Sequence, residues 1–429
     1  MEIQRPHYLS ALVARKNNGL IKVITGIRRS GKSFLLNTLF YRHLISSGIT
    51  SDHIVQFAFD SASDLASIGE EPETFLNRKV NPMKFMAYVA KTVTGDGTYY
   101  LLLDEIQHLD SFEAVLNGYL RNPNMDIYVT GSNSKFLSTD ILTEFEGRGD
   151  EIHVLPLAFS EFFSVRGDSS DIAFDDYLTY GGLPAIVSMQ TEEQKISYLE
   201  TQMQNVYLRD IIIRYHLKTD SEISELMKVL ASGTSCLTNP KKIANTFRSV
   251  KKAEISKPTI SKYISYLQDA FVISEAMRYD IKGKKYIGSP FKVYFEDVGL
   301  RNVLLNFRQD ERTHLMENII YNELRYRGYR VDVGFVSYRE RTDSADNQRK
   351  QLEIDFVANQ GSKRYYIQSA YAIPDHEKWI QETTPFEKTG DFFKKIVIVG
   401  FHQKPRYTEM GYLTIGLLEF LLDENSLNA

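Results

Sequence analysis

Gly26-Ile27-Arg28-Arg29-Ser30-Gly31-Lys32-Ser33 decides how this chain is read. It fits the phosphate-binding pattern G-x-x-x-x-G-K-[ST]. Ile21-Lys22-Val23-Ile24-Thr25 before it predicts a buried strand, and Phe34 to Leu44 after it predicts a helix. Strand, glycine loop and helix together predict a backbone that wraps around phosphate oxygens with several N–H groups pointing inward. The helix N-terminus adds partial positive charge there. Gly26, Arg28, Arg29, Ser30, Gly31, Lys32, Ser33 and Phe34 are the expected nucleotide-binding residues. Lys32 would reach the β- and γ-phosphates and Ser33 would ligate Mg²⁺.

Such a loop needs an acidic partner. Tyr99-Tyr100-Leu101-Leu102-Leu103 predicts a second buried strand, and Asp104-Glu105 sits at its end. Carboxylates at the carboxyl end of a parallel strand lie in the ligand crevice of an open α/β sheet. Asp104 would hold Mg²⁺ through water, and Glu105 would orient or deprotonate the attacking water. A third strand, Asp126 to Thr130, ends in Gly131-Ser132-Asn133-Ser134. Ser132, with Asn133 beside it, is the candidate sensor of the γ-phosphate, and either could also cap the next helix. A helix over 139–145 then leads to Gly147-Arg148-Gly149 and a strand over 151–155. Arg148 stands where a planar cation could meet transition-state charge.

This order of motifs resembles an AAA-type ATPase. Leu155-Pro156-Leu157-Ala158-Phe159-Ser160-Glu161-Phe162 and Tyr180-Gly181-Gly182-Leu183-Pro184 sharpen the likeness to a prokaryotic family of ATP-binding proteins. The resemblance implies an α/β fold: a P-loop core over 1–165, a helical lid over 166–220, a winged helix over 221–305 and a restriction-endonuclease-like domain over 306–429. It further implies that Arg148 is an arginine finger, acting in cis or in trans. Pro184, in Gly182-Leu183-Pro184, would contact the nucleotide base. Arg209 is a candidate second arginine sensor, or one half of a structural pair with Asp210.

The middle of the chain supports the winged-helix expectation. Asn239-Pro240 and Ser256-Lys257-Pro258 each predict a helix start. Ile260, Ile264 and Leu267 fall on one face of the second helix. Alternating stretches at 272–279 and 292–295 flank a basic turn, Lys282-Gly283-Lys284-Lys285. Lys257, Lys262 and the turn lysines would contact phosphates of duplex DNA. The alternative is a packing module with no DNA contact.

In the last domain a nuclease site needs a helix carboxylate, a strand Asp and a Glu-x-Lys. Glu317 and Asp355 match the first two, but Gln368-Ser369-Ala370 stands where Glu-x-Lys should be. A neutral Gln368 adds no charge for a metal, so a degenerate nuclease is expected. The nine histidines show no metal-binding spacing.

The bulk numbers fit two to three ordinary globular domains: 429 residues, 43% hydrophobic, 25% charged. A net charge of −4 excludes a strongly basic nucleic-acid coat but not a local basic patch. The single cysteine, Cys236, cannot form an intrachain disulfide. No apolar run is of spanning length, and the N-terminus carries no signal-peptide core, so a cytoplasmic location is expected. The expected cofactors are ATP and Mg²⁺. The expected partners are duplex DNA, a further protein and, with Arg148 in trans, a second copy of the chain. The expected function is ATP hydrolysis that moves the later domains against a partner. The alternative is ATP-dependent DNA processing with metal-dependent cleavage; a slow nucleotide-binding scaffold is a third reading, which Glu105 opposes.

Overall fold

A computed structural model of the chain describes residues 2–71, 79–131, 145, 147–217, 220–251, 254–308, 311–341 and 347–428. They form two compact units. The first comprises 1–156 with 269–271; the second comprises 157–268 and 272–429.

The first unit is built on a five-stranded sheet: β1 (Ile21–Thr25), β2 (Ile54–Ala58), β3 (Tyr99–Asp104), β4 (Met125–Thr130) and β5 (Gly149–His153). Their order is β2-β3-β4-β1-β5 and every pairing is parallel. β1 and β3 are buried along their whole lengths, as strands covered on both faces must be. Their side chains join Phe57, Phe59, Phe85 and Leu116 in one apolar core. One strand, β4, separates β1 from β3. All strands point the same way, so the loops after β1, β3 and β4 emerge at one end of the sheet. Lys22 is a charged residue buried inside the sheet. Its ammonium is paired with buried Asp126, which also accepts a hydrogen bond from Tyr128.

The second unit carries an eight-stranded sheet in the order β12-β13-β11-β10-β9-β8-β6-β7. Its members are β6 (Ile273–Asp280), β7 (Lys285–Phe295), β8 (Arg330–Arg341), β9 (Asn347–Gln360), β10 (Lys363–Ala370), β11 (Lys394–Val399), β12 (Arg406–Tyr407) and β13 (Leu413–Gly416). The helices expected near 239 and 256 form as Pro240–Thr246 and Lys257–Asp269. Asn239 caps the first by accepting the Lys242 N–H at 2.8 Å. Ile260, Ile264 and Leu267 of the second are all buried.

Residues 166–220, expected as a helical lid, lie in the same unit as the C-terminal residues. The β6–β7 hairpin, expected as the ribbon of a separate winged helix, is an edge of the C-terminal sheet. It joins β8 in parallel through Arg278↔Val333, Tyr279↔Gly334 and Asp280↔Phe335. A boundary at 305/306 therefore cuts through one sheet. The physical reason is the free edge of β6. Its unpaired backbone groups are satisfied by β8, far along the sequence.

The glycines of Tyr180-Gly181-Gly182-Leu183-Pro184 answer to close packing. Gly181 has φ 77°, and a Cβ there would stand 2.1 Å from the carboxylate of Asp297. Buried Asp297 accepts the Gly182 N–H at 2.7 Å and caps the Val298–Leu304 helix through Leu300 N–H at 3.1 Å. Asn302 of that helix donates to the carbonyls of Leu178 and Thr179. Pro184 starts the short turn Pro184–Ser188.

Candidate nucleotide site and a second carboxylate cluster

The loop after β1 has the backbone that its glycines predict. Gly26 has φ 136°, and a Cβ there would lie 2.2 Å from the Val154 carbonyl oxygen. Gly31 sits at φ 94° directly before the helix that begins at Lys32. That helix runs Lys32–Phe34, continues through a π-helical stretch Leu35–Phe40 and ends as Tyr41–Ser46. Lys32 is buried, and its ammonium donates to the carbonyls of Gly26 and Ile27, both at 2.9 Å. The ammonium thus lies inside the curl of the loop, where phosphate oxygens would exchange with those carbonyls. Arg28, Arg29, Ser33 and Phe34 are exposed, while Ser30 is fully buried with its hydroxyl unpartnered.

Asp104 lies at the end of β3, close to Ser33. Ser33 lies close enough to the Asp104 carboxyl for its hydroxyl to favour the ionised form. Asn37 donates to the other side of it at 3.3 Å, and Thr130 donates its hydroxyl to Asp104 Oδ1. Burial raises the Asp104 carboxyl above its ordinary range, against the pull of the Thr130 and Ser33 hydroxyls. The nearby charges of Glu105 and Asp60 add to the rise. A divalent cation would relieve that repulsion. One serine hydroxyl, one carboxylate and the substrate's phosphates form the kind of donor set Mg²⁺ takes, so the residues fit the ion.

Thr130 escaped the sequence reading. It is fully buried at the end of β4, donates to Asp104 and accepts the Glu105 N–H at 3.0 Å. One hydroxyl therefore fixes both acidic residues. Its mark in the sequence is its place as the last residue of the Asp126–Thr130 strand. Ser132 and Asn133 lie outside the described residues. Glu105 has a left-handed backbone, φ 51°, and its carboxylate accepts from Gln107.

Arg5 was also missed. It is 3% exposed and bridges two places. Its Nη1 donates to the Ser30 carbonyl in the loop at 2.7 Å, and its Nη2 to the Leu155 carbonyl at 2.8 Å. Tyr8 lies against the guanidinium at 4.7 Å, and its hydroxyl accepts the Leu155 N–H at 3.0 Å.

Arg148 stands at the other end of the sheet from the loop. Its carbonyl accepts the Ile21 N–H at 2.8 Å, and Gly149 pairs with Ile21, the first residue of β1. The phosphate loop begins at Gly26, after the last. Five residues of strand span about 16 Å, more than an arginine side chain bridges. Arg209 begins the Arg209–Arg214 helix, and Asp210 is paired with Arg214.

In the second unit Glu317, Asp355 and Gln368 do converge. Gln368 accepts the Asp355 N–H at 2.8 Å. Its amide donates to Glu382 at 3.2 Å, and the Ser369 N–H donates to Asp355 Oδ2 at 2.9 Å. At their centre lies a residue that the sequence reading did not place there. Lys292 of β7, 3% exposed, is paired with Glu317 at 2.8 Å, Glu353 at 2.7 Å and Asp355 at 3.4 Å. Burial opposes its charge, but Glu317, Asp355 and Glu353 outweigh that and hold the ammonium well above lysine's ordinary pKa. Tyr294 donates to Glu317 at 2.6 Å. Among the described residues no group of three or more His, Cys, Asp or Glu is arranged to hold a metal ion.

Five parallel strands in this order, a phosphate loop after β1 and Asp-Glu after β3 define a P-loop ATPase domain of the AAA class. The sequence signature of the AAA domain matches residues 18–163, and that of a domain of unknown function matches 172–311. The chain belongs to the same family as an uncharacterised protein of Haemophilus influenzae, with 34% identity over 412 residues and 93% of each chain covered. An uncharacterised protein of Methanocaldococcus jannaschii is 28% identical over 380 residues, covering 86% of this chain and 78% of its own. Among solved structures, Aeropyrum pernix ORC1 in complex with DNA matches with 14% identity and a TM-score of 0.32, over 71% of this chain and 93% of that one. Among the described residues no helix is long and apolar enough to cross a membrane.

Proposed function

We propose that this chain binds and hydrolyses ATP with Mg²⁺ in the cytoplasm, and that the nucleotide state moves the second unit against a partner. The observation that carries the reading is the hydrogen-bonded chain Asp104–Thr130–Glu105 beside the buried Lys32, with Ser33 next to Asp104. Lys32 leaves the carbonyls of Gly26 and Ile27 for the β- and γ-phosphates. Ser33 and Asp104 hold the ion, which when bound neutralises charge developing on the phosphate oxygens. Glu105 takes the proton of the attacking water or orients it. Asp104 must be ionised to hold the ion, so its raised pKa weakens Mg²⁺ binding as pH falls towards it. Arg148, at the far end of β1, reaches a γ-phosphate only on a second copy of the chain. The finger role therefore carries an oligomer with it, and turnover per chain rises with protein concentration.

The winged-helix role and duplex DNA as partner belong to the same proposal. Support comes from exposed Lys257 and Lys262 on one helix and the exposed basic turn Lys282–Lys285. Thr238 also pairs with Phe291 at the base of the hairpin.

The experiment is steady-state ATP hydrolysis with Mg²⁺, with and without duplex DNA, against Lys32→Ala as blank. Glu105→Gln is expected to keep ATP bound and to slow turnover by about 10²–10⁴-fold. Wild-type rates from Glu105→Gln would remove its assigned role. DNA stimulation that fades with salt supports a DNA contact; indifference to DNA moves the partner to a protein.

A further inference from the structure

The carboxylate cluster of the second unit gathers Glu317, Asp355 and Gln368, the residues expected from the sequence at the metal site of a degenerate nuclease. Its residues do not fit a divalent metal. A metal there would need outward-facing, negatively charged oxygens from Glu317, Asp355 and the third strand position. The third position is Gln368, whose oxygen is already taken by the Asp355 N–H and whose nitrogen faces Glu382. The centre is taken as well. The ammonium of Lys292 lies 2.8 Å from Glu317, 2.7 Å from Glu353 and 3.4 Å from Asp355. An ammonium has three donors, and three carboxylates surround this one.

We infer that the Lys292 ammonium is the resident cation of this cluster, replacing the divalent metal of a working nuclease, so that the site takes no metal and cuts no DNA. Three observations support this. Lys292 is 3% exposed, so it is built into the interior rather than resting against it from solvent. It comes from β7, while the carboxylates come from the Arg312–Tyr326 helix and β9, so the ion group ties three elements together. Tyr294, two residues along β7, donates to the same Glu317 oxygen as Lys292. A lysine that activates water beside a metal must leave the carboxylates to the metal. This one engages all three. Removing one partner of a buried ion group leaves uncompensated charge, and here that charge would draw a divalent cation.

The inference concerns the second unit alone and does not pass through ATP turnover. The test is Mn²⁺ titration of the full chain without nucleotide, read by EPR of free Mn²⁺. It compares wild type, Asp355→Asn, Lys292→Met and Lys292→Met/Asp355→Asn. Any Mn²⁺ held at the phosphate loop is common to all four. Wild type and Asp355→Asn are expected to bind alike. Lys292→Met is expected to gain one Mn²⁺ site, at least about tenfold tighter than anything Asp355-dependent in the wild type, and the double variant to lose it. Lys292→Met should also melt lower than wild type and recover when Mn²⁺ is added. The wild-type arm stands alone should Lys292→Met not fold. Asp355-dependent Mn²⁺ binding by the wild type, or Mn²⁺-dependent nicking of plasmid DNA lost in Asp355→Asn, overturns the inference. So does a folded Lys292→Met that gains no site.

Discussion

Replacing Arg5 by methionine should loosen the phosphate loop from a distance. Arg5 donates to two buried carbonyls, Ser30 at 2.7 Å and Leu155 at 2.8 Å, and is held at φ 46°. That left-handed backbone costs an ordinary residue about 1–2 kcal/mol, so the side-chain bonds must outweigh it. A hydrogen bond with a charged partner contributes about 1.5–3 kcal/mol. Two of them give about 3–6. The desolvation of a buried guanidinium offsets part of this, and methionine retains packing against Tyr8. About 3 kcal/mol should be lost. For a domain of this size that lowers the melting temperature by about 6–12 °C. The freed Ser30 carbonyl should also weaken ATP binding by about tenfold, which corresponds to about 1.4 kcal/mol. Differential scanning fluorimetry and a fluorescent-nucleotide titration read the two effects. Tyr8→Phe is the control. It removes the acceptor of the Leu155 N–H and should cost about 1 kcal/mol. If Arg5→Met melts within about 2 °C of wild type and binds ATP equally well, the brace contributes nothing and the reasoning is refuted.

Thr130→Val keeps the shape of the side chain but removes the hydroxyl that joins Asp104 to the Glu105 N–H. Loss of about 1.5–3 kcal/mol at the acidic pair should lower kcat by about 10–150-fold and the melting temperature by about 3–12 °C; equal kcat values would remove Thr130 from the site. In the second unit His402 lies 3.1 Å from Glu419 and 3.0 Å from Asp171. Glu419 first, and then Asp171, raise its pKa above 6.5. A raised histidine pKa gives stability that is full below pH about 6.5 and lost as pH rises through the folded value. Titration of the His402 ring proton by NMR should show a midpoint above 6.5, and His402→Asn should flatten the melting profile above that pH. A midpoint at or below 6.5 would show that the two carboxylates do not hold the ring.

The phosphate loop, the buried strands β1 and β3 and the acidic pair were legible because each is local. A phosphate cradle is made of consecutive backbone groups, and a strand covered on both faces must read as an apolar run. The capped helices at Asn239 and Ser256 were legible for the same reason. The convergence of Glu317, Asp355 and Gln368 came from a family pattern, and the structure brings those three together. Other features had no local mark. Lys292 reads as one residue of a strand, and only the folding of β7 against the Arg312–Tyr326 helix and β9 places it among carboxylates. Gly181 reads as a turn glycine until Asp297 is packed against it.

The sequence alone therefore determined the local backbone of the first unit: the glycine loop after β1, the helix that begins at Lys32 and the acidic pair at the end of β3. Tertiary structure decided which residues brace that backbone. Parallel register sets Arg148 at the opposite end of β1 from the loop. The free edge of β6 draws the hairpin into the C-terminal sheet. Arg5 and Thr130 act across 25 or more residues of sequence. Backbone conformation and burial patterns are written in neighbouring residues, whereas partners for a buried charge or a sheet edge are chosen only when distant segments compete for them in the folded chain.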